Sequence, residues 1–216
     1  MQYNGLAWAV ALAALLVLVL GGRMLLRRGW FLGWLRGTCG LGLLALAGVA
    51  GVVAWDLRSY AALPPAGEPL ATISIEARGS QRYLVSLQEG GTRRDLLVNG
   101  ELWQLDARLF DWKGLATLIG LRSGYRLELL AARYRQADPQ GGAEPSRIML
   151  ARSPYGVDLW RWLRESGWDL PLLDARGARV TFLPLADGAI YSIRLGSTGM
   201  LAEPQNQAGR EALTHR

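Results

Sequence analysis

The sequence predicts a membrane protein: an N-terminal two-helix transmembrane hairpin plus a mainly-β extracytoplasmic domain, an antiparallel barrel-like or sandwich fold with one or two short helices. Three observations lead there. Two uncharged stretches of 20 and 19 residues occupy the N-terminal part of the 216-residue chain. Four arginines lie between them. Beyond residue 70 the apolar pattern turns to alternation broken by glycine-containing turns, the mark of short strands.

The first stretch, Tyr3 to Gly22, would cover about 30 Å as a helix, the thickness of a bilayer core. The residues before it, Met1-Gln2-Tyr3-Asn4, carry no basic group, so it reads as a retained span rather than a cleaved leader. The second, Gly37 to Trp55, would cover about 28 Å. Arg23, Arg27, Arg28 and Arg36 sit between the two spans, in a loop over 23–36, and cytoplasmic loops are where such arginines accumulate. The expected topology is therefore multi-pass in a bacterial inner membrane, with the N-terminus and the C-terminal domain periplasmic. Trp30, Trp34 and Trp55 fall near the span ends, where amphipathic rings settle among headgroups, and the arginines would contact anionic lipid. In the second span Gly40, Ala47, Gly51 and Ala54 share one helical face. A small-residue face packs either on the first span, whose Ala7, Ala11 and Ala14 have matching spacing, or on another membrane protein or second copy.

The hairpin is expected over 1–60, a linker over 61–68 containing Pro64-Pro65, a β-rich domain over 69–203 and a mobile tail over 204–216. Alternation marks strands at Thr72–Ala77 and Arg82–Gln88, joined at Gly79-Ser80. Glu89-Gly90-Gly91-Thr92 leads to Arg94–Val98, and Asn99-Gly100 predicts a hairpin into Glu101–Arg108. A helical turn around Leu115, Leu118 and Ile119 ends at Gly120. Strands follow at Tyr125–Arg135 and Arg147–Ala151, separated by an exposed loop from Asp138 to Ser146. Val157–Ser166 reads as a helix ending at Gly167. Ala178–Leu183 and Ala189–Leu195 flank Ala186-Asp187-Gly188, a further hairpin signal. Eight strands in this length of chain can close a core without disulfides.

Charge narrows the function. Of 24 basic and 18 acidic groups, 19 and 17 lie beyond Tyr60, so the domain is nearly neutral and lacks a basic face for nucleic acid. Neither span holds an ionisable group of the kind that couples ion movement. Cys39 has no partner cysteine, and the sole histidine, His215, cannot make a paired metal site. Asp106, Asp111, Glu128, Asp158 and Asp174 are read as salt-bridging and capping groups, Asp158 at the start of a helix. Lys113, the sole lysine, has no serine in a nucleophile setting. No catalytic, cofactor-binding or metal-binding residues are expected. The helix carrying Trp160, Arg161, Trp162 and Arg164 is a candidate for surface docking, on the outer leaflet or through its apolar side on the sheet.

Gln104-Leu105-Asp106-Ala107-Arg108, Trp112-Lys113-Gly114-Leu115, Tyr125-Arg126-Leu127, Tyr155-Gly156-Val157-Asp158-Leu159-Trp160 and Ala186-Asp187-Gly188 resemble a family of small two-span Gram-negative inner-membrane proteins. Its members are commonly labelled "cation/multidrug efflux pump" or "multidrug transporter". The resemblance covers nearly the whole chain and implies involvement in transport. Two spans without an intramembrane charge do not make a pump by themselves, so the role implied is that of an accessory subunit. The expectation is a non-enzymatic, membrane-anchored periplasmic binding or accessory protein, in contact with lipids and a membrane or periplasmic protein partner. The alternatives are an oligomeric multidrug or cation transporter and a hydrophobic-ligand carrier.

Overall fold

The computed structural model describes residues 2–25, 30–65, 67–135, 144–153, 156, 158–167, 172–196 and 199–214. In chain order the elements are helices α1 (Gln2–Leu25) and α2 (Trp30–Leu57), strands β1 (Ala61–Ala62), β2 (Ala71–Gly79), β3 (Arg82–Glu89), β4 (Thr92–Asn99) and β5 (Leu102–Trp112), and helix α3 (Leu115–Leu118). Strands β6 (Gly124–Arg133) and β7 (Arg147–Met149), helix α4 (Leu159–Ser166), strands β8 (Leu173–Pro184), β9 (Ile190–Gly196) and β10 (Gly199–Pro204) and helix α5 (Gln207–Thr214) complete them.

These elements form two compact units. The first contains Met1–Ala62, Phe110–Gly124 and Ser153–Ala175, the second Leu63–Leu109, Tyr125–Arg152 and Arg176–Arg216. The division departs from the linear boundaries expected at 1–60 and 69–203: the unit holding α1 and α2 also takes in α3 and α4.

In the first unit, Leu32–Leu57 is a 26-residue helical segment of mean hydropathy 1.9, long and apolar enough to cross a membrane. The apolar part of α1 among the described residues is shorter, Ala7–Arg23. Leucines and valines of both helices, including Leu12, Leu16, Val19, Leu41 and Leu46, are exposed. A helix apolar all round, left uncovered by protein, is suited to lipid. The helices meet through small residues. Ala7, Ala47 and Ala54 are buried, and a Cβ built on Gly21 would lie 3.2 Å from the Gly40 carbonyl oxygen. Close backbone approach is what a small-residue stripe permits.

The second unit is mainly β and consists of two antiparallel sheets that do not close into a barrel. One sheet runs β10-β9-β2-β3-β4; in the other β5 lies between β6 and β8, with β7 beside β6. The barrel form of the expected fold is thereby corrected to two open, packed sheets. Alternation explains the packing: Ile73 and Ile75 of β2, Val85 and Leu87 of β3, Trp103 and Leu105 of β5, and Tyr191 and Ile193 of β9 fill one core. Trp103 and Tyr191 stack at 5.5 Å between ring centroids, tilted by 58°. The interior that a ligand-carrying barrel would enclose is here occupied by side chains.

Two turns change role. Gly79-Ser80 and Gly90-Gly91 make true hairpins, β2 to β3 and β3 to β4. Asn99-Gly100 and Ala186-Asp187-Gly188 do not, because β4 and β5, and β8 and β9, belong to different sheets. The physical reason is long-range. Gly100 N–H donates to the Gln81 carbonyl and Glu101 N–H to the Arg133 carbonyl, steering the chain from one sheet to the other. At the second turn Asp187 Oδ1 accepts from Ala77 N–H at 2.7 Å, and Gly188 N–H donates to the Ile75 carbonyl.

Residues 207–214, expected to be mobile, form α5, and residues 199–204 form the edge strand β10. Asn206 explains the helix: its Oδ1 accepts from Gly209 N–H as a cap and from Ile190 N–H, while its Nδ2 donates to the Gly188 carbonyl at 2.6 Å.

Tyr125 ties strand to loop through its hydroxyl, which donates to the Leu70 carbonyl at 3.1 Å. Burial first, and then the Glu89 carboxylate, push its pKa up to about 12. The unfolded tyrosine ionises near its usual value of about 10. Between those values the native state holds a proton the unfolded state has lost, so the contribution is full below about 10 and disappears as pH rises through about 12. Alkaline unfolding followed by circular dichroism should steepen in that window, and Tyr125→Phe should flatten it. An unchanged slope in the variant would refute the assignment.

Candidate functional site

The first unit builds a platform from α3, α4 and the last turns of α2. Its core is an aromatic cluster: Leu57, Tyr60, Phe110 and Leu163 are buried, with Val53, Leu159, Trp160, Leu173 and Ala175 packed against them. The Tyr60 and Phe110 rings lie 4.6 Å apart. Asp56, at the end of α2, is fully buried beside this cluster in sequence, and its backbone oxygen accepts from the Ser59 hydroxyl.

Local chemistry fixes α4. Asp158 Oδ1 accepts from Arg161 N–H at 2.9 Å, capping the N-terminus, and Gly167 adopts φ 63° to end the helix. Between these ends the apolar residues Leu159, Trp160 and Leu163 point into the cluster, while Arg161, Trp162, Arg164 and Glu165 are exposed. The Arg164 guanidinium lies 5.5 Å over the Trp160 ring, and Arg161 pairs with Glu165 at 3.6 Å.

The adjoining α3 is held at both ends. Gly114 at φ 58° and Gly120 at φ 87° bracket it, and Ala116 is buried as its anchor. Lys113 N–H donates to the Leu172 carbonyl, and Lys113 Nζ pairs with Asp174 at 2.7 Å. The helix thereby presents Leu115, Leu118 and Ile119, which are 70%, 82% and 78% exposed. Three large apolar side chains left without protein cover, on a turn held by glycines and an ion pair, form an exposed apolar patch of the kind that marks an interaction surface.

Between α2 and α4 lies an open groove of about 510 Å³. Val49, Val53, Leu159 and Trp162 line it, and Asp158, Arg161 and Glu165 contribute its polar atoms. A smaller crevice of about 110 Å³ between α1 and α2 includes Ala7, Trp8, Gly51 and Trp55.

The residues singled out from sequence are distributed as follows. Arg23 is exposed in the last turn of α1, and Arg36 is half-buried in α2. Arg27 and Arg28 lie outside the described residues, as does His215, and Trp30 is placed in α2 without a described side chain. Trp34 and Trp55 are exposed. Gly40, Ala47 and Ala54 are buried, whereas Gly51 is exposed and lines the smaller crevice. Cys39 is exposed. Trp160 faces inward, and Arg161 and Trp162 face outward beside Arg164.

The carboxylates each meet a specific partner. Asp106 pairs with Arg179 at 2.6 Å and accepts from Gln104, Glu128 pairs with Arg108, and Asp174 pairs with Lys113. Sequence reasoning missed the exposure of α3. The available signal was Leu115-Ala116-Thr117-Leu118-Ile119 framed by Gly114 and Gly120, a run too short to bury itself and too apolar for a solvent loop. Comparison of the chain with protein-family models, curated proteins and solved structures finds no match.

Proposed function

We propose that the chain is a non-enzymatic inner-membrane protein that crosses the bilayer twice and displays its β-rich unit on the periplasmic side. The β-rich unit binds a protein partner or envelope component, as an accessory subunit of a transport or envelope assembly. This keeps the chain within the family of small two-span proteins labelled as multidrug transporters, in a supporting role. The reading is carried by one observation: a single compact unit contains both apolar helices together with α3 and α4, and it leaves Leu115, Leu118, Ile119 and Trp162 exposed. Apolar groups that stay with membrane helices and find no protein cover belong in the interfacial region. Each buried leucine contributes about 1.5–3 kcal/mol, enough for α3 and α4 to lie on the outer leaflet as a footing.

Single cysteines in a Cys39→Ser background test this reading. A polarity-sensitive label at Leu118→Cys should be quenched by brominated lipid. Gly91→Cys should react with an impermeant maleimide in intact cells, and Arg23→Cys only after lysis. Unquenched label at 118, or reaction at 91 only after lysis, would contradict the proposed placement. Cross-linking in native membranes should recover a protein or envelope partner. A chain that repeatedly emerges alone and monomeric would dismiss the accessory role.

A further inference from the structure

The groove between α2 and α4 has features of a lipid site, and its charges select a headgroup. Its floor is Val49 and Val53, six and two residues before Trp55, and both lie inside the uncharged stretch of α2. At 1.5 Å per residue they sit about 9 Å and 3 Å along the helix from that tryptophan. With Trp55 at the headgroup boundary, Val49 falls within the depth to which interfacial helices bury their apolar sides, about 5–10 Å, and Val53 lies just above it. Leu159 and Trp162 form the opposite wall, so the inner part of the groove is apolar on both sides. The volume of about 510 Å³ falls within the range of small-molecule sites, about 300–1,000 Å³.

The polar end is the informative part. The Arg161 guanidinium pairs with Glu165 at 3.6 Å, while the Asp158 carboxylate is committed to the helix cap, accepting from the Arg161 backbone N–H. Arg161 and Glu165 keep 65% and 72% of their side chains exposed, so both can turn to a ligand without leaving a buried charge. A site for an anionic headgroup would gather cations without matching carboxylates. One guanidinium beside one exposed carboxylate instead complements a headgroup that carries both signs: phosphate on Arg161 and a hydrogen-bonding ammonium on Glu165.

We propose that this groove binds a zwitterionic phospholipid with a primary-ammonium headgroup, one acyl chain lying along Val49 and Val53. The proposal rests on α2 being a membrane span. The lipid would fill the space between the span and α4 and so fix the platform at the outer leaflet. A quaternary ammonium, which donates no hydrogen bond, and an anionic glycerol headgroup each satisfy only half of the site.

The test uses the full chain in mild detergent, exposed to equimolar phosphatidylethanolamine, phosphatidylcholine and phosphatidylglycerol with identical acyl chains, and read by native mass spectrometry. Phosphatidylethanolamine should be retained about three- to fivefold over the other two, the discrimination expected of an exposed charge pair. Glu165→Gln should reduce it to the phosphatidylcholine level with unfolding temperature unchanged, and Arg161→Gln should lower retention of all three. Equal retention of the three lipids, preference for phosphatidylglycerol, or an indifferent Glu165→Gln variant each overturns the proposal. So does a photo-cross-linker at Val49 that reacts with polypeptide and never with lipid. Alkaline carbonate extraction separates the two levels: release from membranes refutes the span itself, whereas retention without headgroup preference refutes the groove alone.

Discussion

Gly100→Val is expected to destabilise the β-rich unit by about 2–6 kcal/mol, combining roughly 1–3 for backbone strain with roughly 1–3 for overpacking. Gly100 has φ 150°, and a Cβ there would stand 2.8 Å from the Ala132 Cβ, 3.2 Å from Arg133 N and 3.3 Å from the Arg133 carbonyl oxygen. None of these atoms is the end of a flexible side chain. The segment cannot swing aside either, since Gly100 N–H and Glu101 N–H are committed to the Gln81 and Arg133 carbonyls. Against a total stability of about 5–15 kcal/mol, the loss should show as a large fall in the denaturation midpoint followed by circular dichroism. Gly91→Ala is the control, because a Cβ at Gly91 meets nothing within 4 Å and its change should stay within about 0.5 kcal/mol. Comparable midpoints for the two variants would defeat the argument.

The second large effect concerns Arg108 and Glu128. Both lie on the face of the β6-β5-β8 sheet turned away from the core, yet the Arg108 side chain is only 7% exposed and that of Glu128 23%. Glu128→Ala should cost about 3 kcal/mol, because it leaves a buried guanidinium without that counter-charge. Replacing both residues together, Arg108→Met with Glu128→Leu, should bring stability back to within about 1 kcal/mol of the parent, since burying two apolar groups avoids the desolvation of two ions. Asp106 and Arg179 give the contrast: Arg179 is 59% exposed, and Arg179→Ala should cost less than about 1 kcal/mol. A double variant as unstable as Glu128→Ala would show that the pair contributes through something other than charge.

Much of the fold is legible where neighbours in sequence decide it. Ile73 and Ile75 alternate with Thr72 and Ser74 as a half-buried strand must, and Asp158 and Gly167 delimit α4 by cap chemistry alone. The small-residue face of α2 also emerges in part, with Gly40, Ala47 and Ala54 buried and Gly51 exposed. The candidate site was half legible. Trp160, Arg161, Trp162 and Arg164 were visible as an amphipathic helix, but α3 was not, because nothing local says whether Leu118 faces a core or the surroundings.

By itself the sequence determined the apolar helix of membrane length, the glycine hairpin at Gly79-Ser80, and the ends of α4, because each depends on contacts a few residues apart. Only the tertiary structure decided that Asn99-Gly100 and Ala186-Asp187-Gly188 carry the chain between sheets, that Asn206 gathers Gly188, Ile190 and Gly209 into an ordered end, and that α3 and α4 join the unit of the N-terminal helices. A turn sequence specifies how the backbone bends. Which strand receives the next segment is settled by the distant carbonyls and buried side chains it meets there, and these have no signature in the turn itself.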